Sequence, residues 1–86
     1  MTIQVRNAEI GDVATIGEFQ LQMAWETEQK VLDRPNVLAG VQAVFADAGR
    51  GFYLVAAEGD IVVASLLVTK EWSDWRNTDI WYIQSV

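Results

Sequence analysis

The stretch Phe52-Tyr53-Leu54-Val55-Ala56-Ala57-Glu58-Gly59-Asp60-Ile61-Val62-Val63-Ala64 reads as two β-rich runs that meet at Gly59-Asp60. A two-residue loop containing glycine is a hairpin signal, because such a turn needs a residue that reaches positive φ without steric cost. The runs extend over 52–58 and 61–70. Apolar residues occupy both of their faces, so both faces of the resulting sheet expect cover.

Outward from the hairpin on its N-terminal side, Val37, Leu38, Val41, Val44, Phe45 and Ala48 recur at helical spacing. This is the clearest amphipathic helix in the chain. Arg34-Pro35-Asn36 marks its start, since proline suits a first helical turn and asparagine or aspartate caps one, and Gly49 is expected to end it. An earlier helix begins at Val13, with Asp12 as its expected cap, and carries Val13, Ile16, Phe19, the stem of Gln20, Met23 and Ala24 on one face before fraying near Glu28 to Lys30. Before it, Ile3 and Val5 alternate with Thr2, Gln4 and Arg6 as a half-buried strand. On the C-terminal side, a polar connection over 71–79 leads to a last strand over 80–86. The order is β-α-α-β-β-β in a single domain spanning 1–86, an α+β chain of the α/β type with a mostly antiparallel four-stranded sheet and two helices. No repeat or low-complexity tract interrupts it.

Composition narrows the chemistry. The 86 residues, 51% of them apolar, suit one domain whose fold would bury about 63% of the unfolded surface, a marginal fraction. Cysteine and histidine are both absent, which excludes disulfides, the usual zinc frameworks and imidazole-dependent nucleophilic catalysis. Twelve acidic residues against six basic ones give a net charge of -6, and the basic residues are scattered singly. Nucleic acid is therefore an unexpected partner. The longest apolar stretch, 61–68, falls far short of the ~20 residues that span a bilayer, and the start has no signal-peptide pattern. A soluble cytoplasmic protein without membrane partners is the expectation.

The last strand, Ile80-Trp81-Tyr82-Ile83-Gln84-Ser85-Val86, is apolar and is followed by no turn or charged tail. It reads as an unprotected edge, of the kind that natural sheets usually blunt. Two expectations follow: the chain is the front part of a longer fold, or it hides the edge in an oligomer.

The element order, the hairpin 52–64, the segment Thr69-Lys70-Glu71-Trp72-Ser73-Asp74-Trp75-Arg76-Asn77 and the closing Trp81-Tyr82-Ile83-Gln84-Ser85-Val86 together resemble GNAT-superfamily N-acetyltransferases. The resemblance covers the whole chain and the N-terminal half of the family fold, the acyl-CoA N-acyltransferase fold, through its fourth strand. It implies acetyl-CoA as cofactor and a small primary amine as acceptor. In the family, a Gln/Arg-x-x-Gly-x-Gly/Ala loop after strand four holds the cofactor pyrophosphate on backbone amides. The 86 residues contain no such loop, so the chain by itself is expected to be inactive. Family members run the pantetheine arm along strand four, which by position assigns cofactor binding to Gln84, Ser85 and Val86, with a backbone amide polarising the thioester carbonyl.

Candidate acceptor residues follow the same resemblance. Trp72 and Trp75 offer two aromatic faces suited to a cationic amine, or serve as lids over the open end of the sheet. Glu26 and Glu28 stand near the end of the first helix, where negative charge opposes the helix dipole; they are either ammonium-binding groups bordering the acceptor site or solvated surface. No carboxylate lies in the last strand, and the amide of Gln84 cannot act as a base, so no catalytic acid or base is assigned. Gly49-Arg50-Gly51 is no phosphate loop, because it precedes a strand instead of opening a helix. The alternative function is a stand-alone interaction module that forms a homodimer through its C-terminal strand.

Overall fold

The computed structural model describes residues 2–85. Its elements are β1 (Ile3–Asn7), a single 3-10 turn (Ile10–Asp12), α1 (Val13–Glu28), α2 (Arg34–Ala46), β2 (Phe52–Glu58), β3 (Ile61–Ser73) and β4 (Thr78–Ser85). The strands form one antiparallel sheet in the order β1-β2-β3-β4, the α+β arrangement expected from the sequence. The hairpin turn is as read: Glu58 pairs with Ile61 across Gly59-Asp60, and Gly59 takes φ +60°.

Alternation in β2 decides which side of the sheet the helices cover. Tyr53, Val55 and Ala57 are buried while Phe52, Leu54 and Ala56 are not. Ile16 from α1, Val41 from α2, and Tyr53 and Val55 from β2 form the core, with Val13, Val37, Val44, Phe45 and Leu67 packed around it. These are the apolar faces expected of the two helices. Phe45 and Tyr53 stack with ring centroids 6.0 Å apart, and burial raises the Tyr53 hydroxyl above its ordinary pKa. Where α1 and α2 cross, Gly17 makes room for Leu38: a Cβ at Gly17 would lie 2.5 Å from Leu38 Cδ2.

Several local expectations are corrected. Among the described residues α1 and α2 cover one face of the sheet, the one to which Tyr53, Val55 and Ala57 point. Ile3 and Val5, expected to be half-buried, are 57% and 70% exposed, because their register partners Glu58 and Ala56 belong to the uncovered face. The polar connection over 71–79 is shorter than expected. β3 continues to Ser73 and β4 begins at Thr78, with Ser73↔Thr78, Trp72↔Asp79 and Glu71↔Ile80 paired, because the aromatic and β-branched residues there suit a ladder despite their charged neighbours. Asn77 closes that hairpin at φ +54°, and the Arg76 amide donates to Ser73 Oγ.

The caps also differ in detail. The Asp12 side chain does not cap α1. It accepts from the Glu9 amide at 2.8 Å and from the Arg6 guanidinium at 2.8 Å, which fastens the entry of α1 to β1. The cap of α2 is Asp33, whose carboxylate accepts from the Asn36 amide. That helix ends at Ala46, short of Gly49, because Asp47 turns the chain by accepting from the Gly49 amide. Gly51 then sits at φ +142°, where an added Cβ would lie 2.2 Å from the Val68 carbonyl oxygen.

Three substitutions test this picture. Gly40 lies exposed in α2, and a Cβ added there would meet nothing within 4 Å, so Gly40→Ala should stabilise the chain by up to about 1 kcal/mol in urea denaturation. Gly51→Ala should destabilise it by more than that amount, because both φ and space are against the methyl group. The Arg6 hydrogen bond, foremost, lowers the Asp12 pKa. A carboxylate with a depressed folded-state pKa stabilises fully above its unfolded value of ~3.9 and loses that stabilisation as pH falls through the folded value. Asp12→Ala, which removes the acceptor for the Glu9 amide, should cost roughly 1 kcal/mol at neutral pH. The gap from the parent should narrow below about pH 4 in the same measurement.

Candidate functional site

The residue spacing in α1 assembles the site. Phe19, Met23 and Glu26 stand at i, i+4 and i+7 and therefore share one helix face. That face meets the first half of β3 and leaves a cleft of about 250 Å³ lined by Phe19, Gln20, Met23, Glu26, Val63 and Ser65. Its floor is shaped by a bulge. Ala56 pairs with Ala64 and Ala57 with Val62, so Val63 is an extra residue in β3. Ser65, across from Val55, is buried at 8% exposure and is one of the lining residues. The cleft thus mixes apolar walls from Phe19, Met23 and Val63 with polar ones from Gln20 and Gln22, and carries Glu26 in the last turn of the helix.

A second bulge lies in β4. Leu67 pairs with Ser85 and Val68 with Ile83, which leaves Gln84 without a register partner on β3. Bulged residues have backbone groups outside the ladder, and such positions are over-represented beside active sites. The Gln84 side chain is held by donation from its amide nitrogen to Thr69 Oγ1 at 2.8 Å. Ser65 is two residues along β3 from Leu67, so at ~3.4 Å per residue and ~4.8 Å between strands the bulge lies about 8–9 Å from the cleft floor.

The seven candidate residues separate into groups. Glu26 lines the cleft; Glu28 is exposed at the last position of α1, outside the lining. Trp72 lies in β3 and, by its place in the register, on the face opposite the helices, 60% exposed. Trp75 is at the hairpin tip, 95% exposed. At ~3.3 Å per residue, Trp72 is about 30 Å along β3 from Val63, so the tryptophans and Glu26 do not border one pocket. Gln84 is the bulged residue and Ser85 pairs with Leu67, while Val86 lies outside the described residues. Among the described residues no cluster of acidic side chains is built to hold a metal ion, and no helix is long and apolar enough to cross a membrane.

Sequence reasoning did not identify Phe19, Met23 and Ser65 as site residues. The helical spacing of the first two with Glu26 was a signal, whereas neither bulge leaves a mark in the alternation of these strands. A possible acetyltransferase from Clostridium difficile 630, known from its crystal structure, matches this geometry with a TM-score of 0.93 and 42% identity over 99% of this chain. The chain has an acetyltransferase-like fold. It spans 56% of that protein's length. Two integron cassette proteins share the fold alone. One, from the mobile metagenome of Cole Harbour Salt Marsh, matches at a TM-score of 0.83 and 21% identity, over 95% of this chain and 55% of its own. The other, from the mobile metagenome of V. cholerae, matches at 0.67 and 12%, over 96% of this chain and 52% of its own. No protein-family model and no curated protein matches the chain.

The exposure of Trp75 has a measurable consequence. Trp75→Ala should change unfolding free energy by no more than about 0.5 kcal/mol, as surface substitutions generally do, and urea denaturation checks it.

Proposed function

We propose that this chain is the N-terminal portion of a GNAT-like N-acetyltransferase that transfers an acetyl group to a small primary amine. The observation that carries the reading is the pairing of an unladdered β4 backbone at Gln84 with a carboxylate-bearing cleft about 8–9 Å away, in a chain 42% identical to part of a possible acetyltransferase. Acetyl-CoA, when bound, supplies an acetyl group activated as a thioester. The backbone of Gln84 and Ser85 offers the amide and carbonyl groups that a pantetheine arm needs, and the missing register partner of Gln84 fits that role. A backbone amide there stabilises negative charge on the carbonyl oxygen as nitrogen adds and sulfur leaves.

Glu26 has the acceptor role in this reading. Its carboxylate pairs with the ammonium form of the substrate and then takes the proton that must leave before the nitrogen lone pair can attack, directly or through one water. Phe19 and Met23 cover the apolar part of the amine, which favours an acceptor with a hydrocarbon body. Glu28, Trp72 and Trp75 lie outside that cleft and have no part in this reading.

Amide-resolved NMR of the 86-residue chain tests the proposal. Millimolar acetyl-CoA is expected to shift the signals of Thr69, Gln84 and Ser85, with no micromolar site by calorimetry, because the chain contains no Gln/Arg-x-x-Gly-x-Gly/Ala loop. Phenethylamine should shift Ser65 and Met23. Glu26→Gln should weaken that response roughly fivefold, the worth of a partly exposed ion pair near ~1 kcal/mol. An absence of shifts at β4, or amine binding indifferent to Glu26→Gln, would overturn the reading.

A further inference from the structure

The bulge in β4 needs something to hold it at residue 84. A regular continuation of the ladder would follow Val68↔Ile83 with Leu67↔Gln84, whereas Leu67 meets Ser85. The two registers differ by one residue, and only the bulged one leaves Gln84 outside the ladder. Either gives Leu67 a partner, so pairing alone does not choose between them.

A side-chain bond separates the two. Gln84 Nε2 donates to Thr69 Oγ1 at 2.8 Å. Opposite Leu67 in the regular register, Gln84 would be a diagonal neighbour of Thr69, ~7–8 Å away between Cβ atoms, a separation that only a fully stretched glutamine spans. The bulge moves Gln84 toward Val68 and so toward Thr69, the next residue along β3. Thr69 suits the task. Its hydroxyl is an acceptor on a β-branched side chain with restricted rotamers, and the residue is half-buried and paired with Tyr82 in the intact part of the ladder. The acceptor is therefore fixed to the sheet while the donor belongs to the irregular residue. The other face of β4 is held separately: Phe52 lies edge-on to Trp81 at 5.7 Å between ring centroids, and Lys70 Nζ is 5.7 Å from the Trp81 ring centroid. Those contacts stop at Trp81, and the bond from Thr69 reaches past Ile83.

We propose that Thr69 is a positioning residue: by accepting from the Gln84 side chain it locks the bulge at residue 84 and keeps that residue's backbone available to an acyl-thioester cofactor. This role rests on the reading of β4 as the strand along which acetyl-CoA lies. Thr69 acts only through Gln84, and no bond is made or broken at its hydroxyl.

Amide-resolved NMR on the 86-residue chain and four variants tests the proposal with two readouts. One is the cross-strand proximity of Leu67 to Ser85, which reports the bulged register. The other is the initial slope of the shifts at positions 84 and 85 against acetyl-CoA concentration, set beside the slope at Ser65 and Met23 against phenethylamine. Thr69→Val keeps the shape and strand propensity of threonine and removes the acceptor. It should lower the acetyl-CoA slope about fivefold, as the net loss of one hydrogen bond implies, and weaken the Leu67–Ser85 proximity. The phenethylamine slope should stay within twofold of the parent. Thr69→Ser, which keeps the hydroxyl, should bring both readouts back to within twofold. Gln84→Met should behave as Thr69→Val does, and the double variant should fall no further than either, because the two side chains act as one unit. A parent chain whose β4 signals ignore acetyl-CoA overturns the cofactor reading and the role of Thr69 with it. A parent that responds while Thr69→Val responds equally overturns the role alone. So does a Thr69→Ser that fails as Thr69→Val does, or a loss that the phenethylamine response shares.

Discussion

The packing of Val55 against Ile16 and Val41 is the contact on which the rest of the structure depends. Val55 is 1% exposed at the middle of β2, which is flanked by β1 and β3, and both helices reach it from one side. Because side chains alternate along a strand, fixing Val55 toward the helices also fixes Tyr53 and Ala57 there and commits Leu54 and Ala56 to the other face. The choice then passes sideways through the register. Ser65 and Leu67 in β3 follow Val55 and Tyr53 to the helix face, and Val5 in β1 follows Ala56 to the open one. The core is small, as the chain length implies, and α1 and α2 supply only one layer of cover.

Bulges complicate this alternation where the candidate site lies. Val63 shifts the phase of β3 just before Ala64, and Gln84 shifts that of β4 just before Ser85. Without the first, Val62 would not share a face with Ser65. Without the second, Ser85 would not come opposite Leu67. Each bulge thus re-aims the strand segment nearest the cleft while leaving the remaining ladder intact. A sheet that must hold a tight core and still release backbone groups toward a ligand can do both only if the irregularity is confined in this way.

Much of the fold was legible in the sequence because it rests on local signals. Glycine at Gly59 and the helical spacing from Val37 to Phe45 each act over a few residues. What was not legible depended on the side from which elements approach. Alternation showed that Ile3 and Val5 share a face, but only the pairing of Val5 with Ala56 shows which face it is. Asp12 was expected to cap α1, whereas its actual partners, Arg6 and the Glu9 amide, follow from the path of the chain between β1 and the helix. The tryptophan-bearing segment after Lys70 looked like a loop because its charges outweigh its strand propensity in a short window. Its pairing partners, Ile80 and Asp79, lie beyond that window. Glu26 was picked for its position at a helix end; the cleft that gives the position meaning is a contact between α1 and β3 that no periodicity encodes.

The two sheet faces divide the work between them. Glu26, Ser65 and the Gln84–Thr69 hydrogen bond belong to the side reached by α1, whereas Trp81, Ile83 and Lys70 belong to the opposite one. Neighbouring residues of β4 therefore serve different surfaces, and Ile83 and Gln84 mark the boundary.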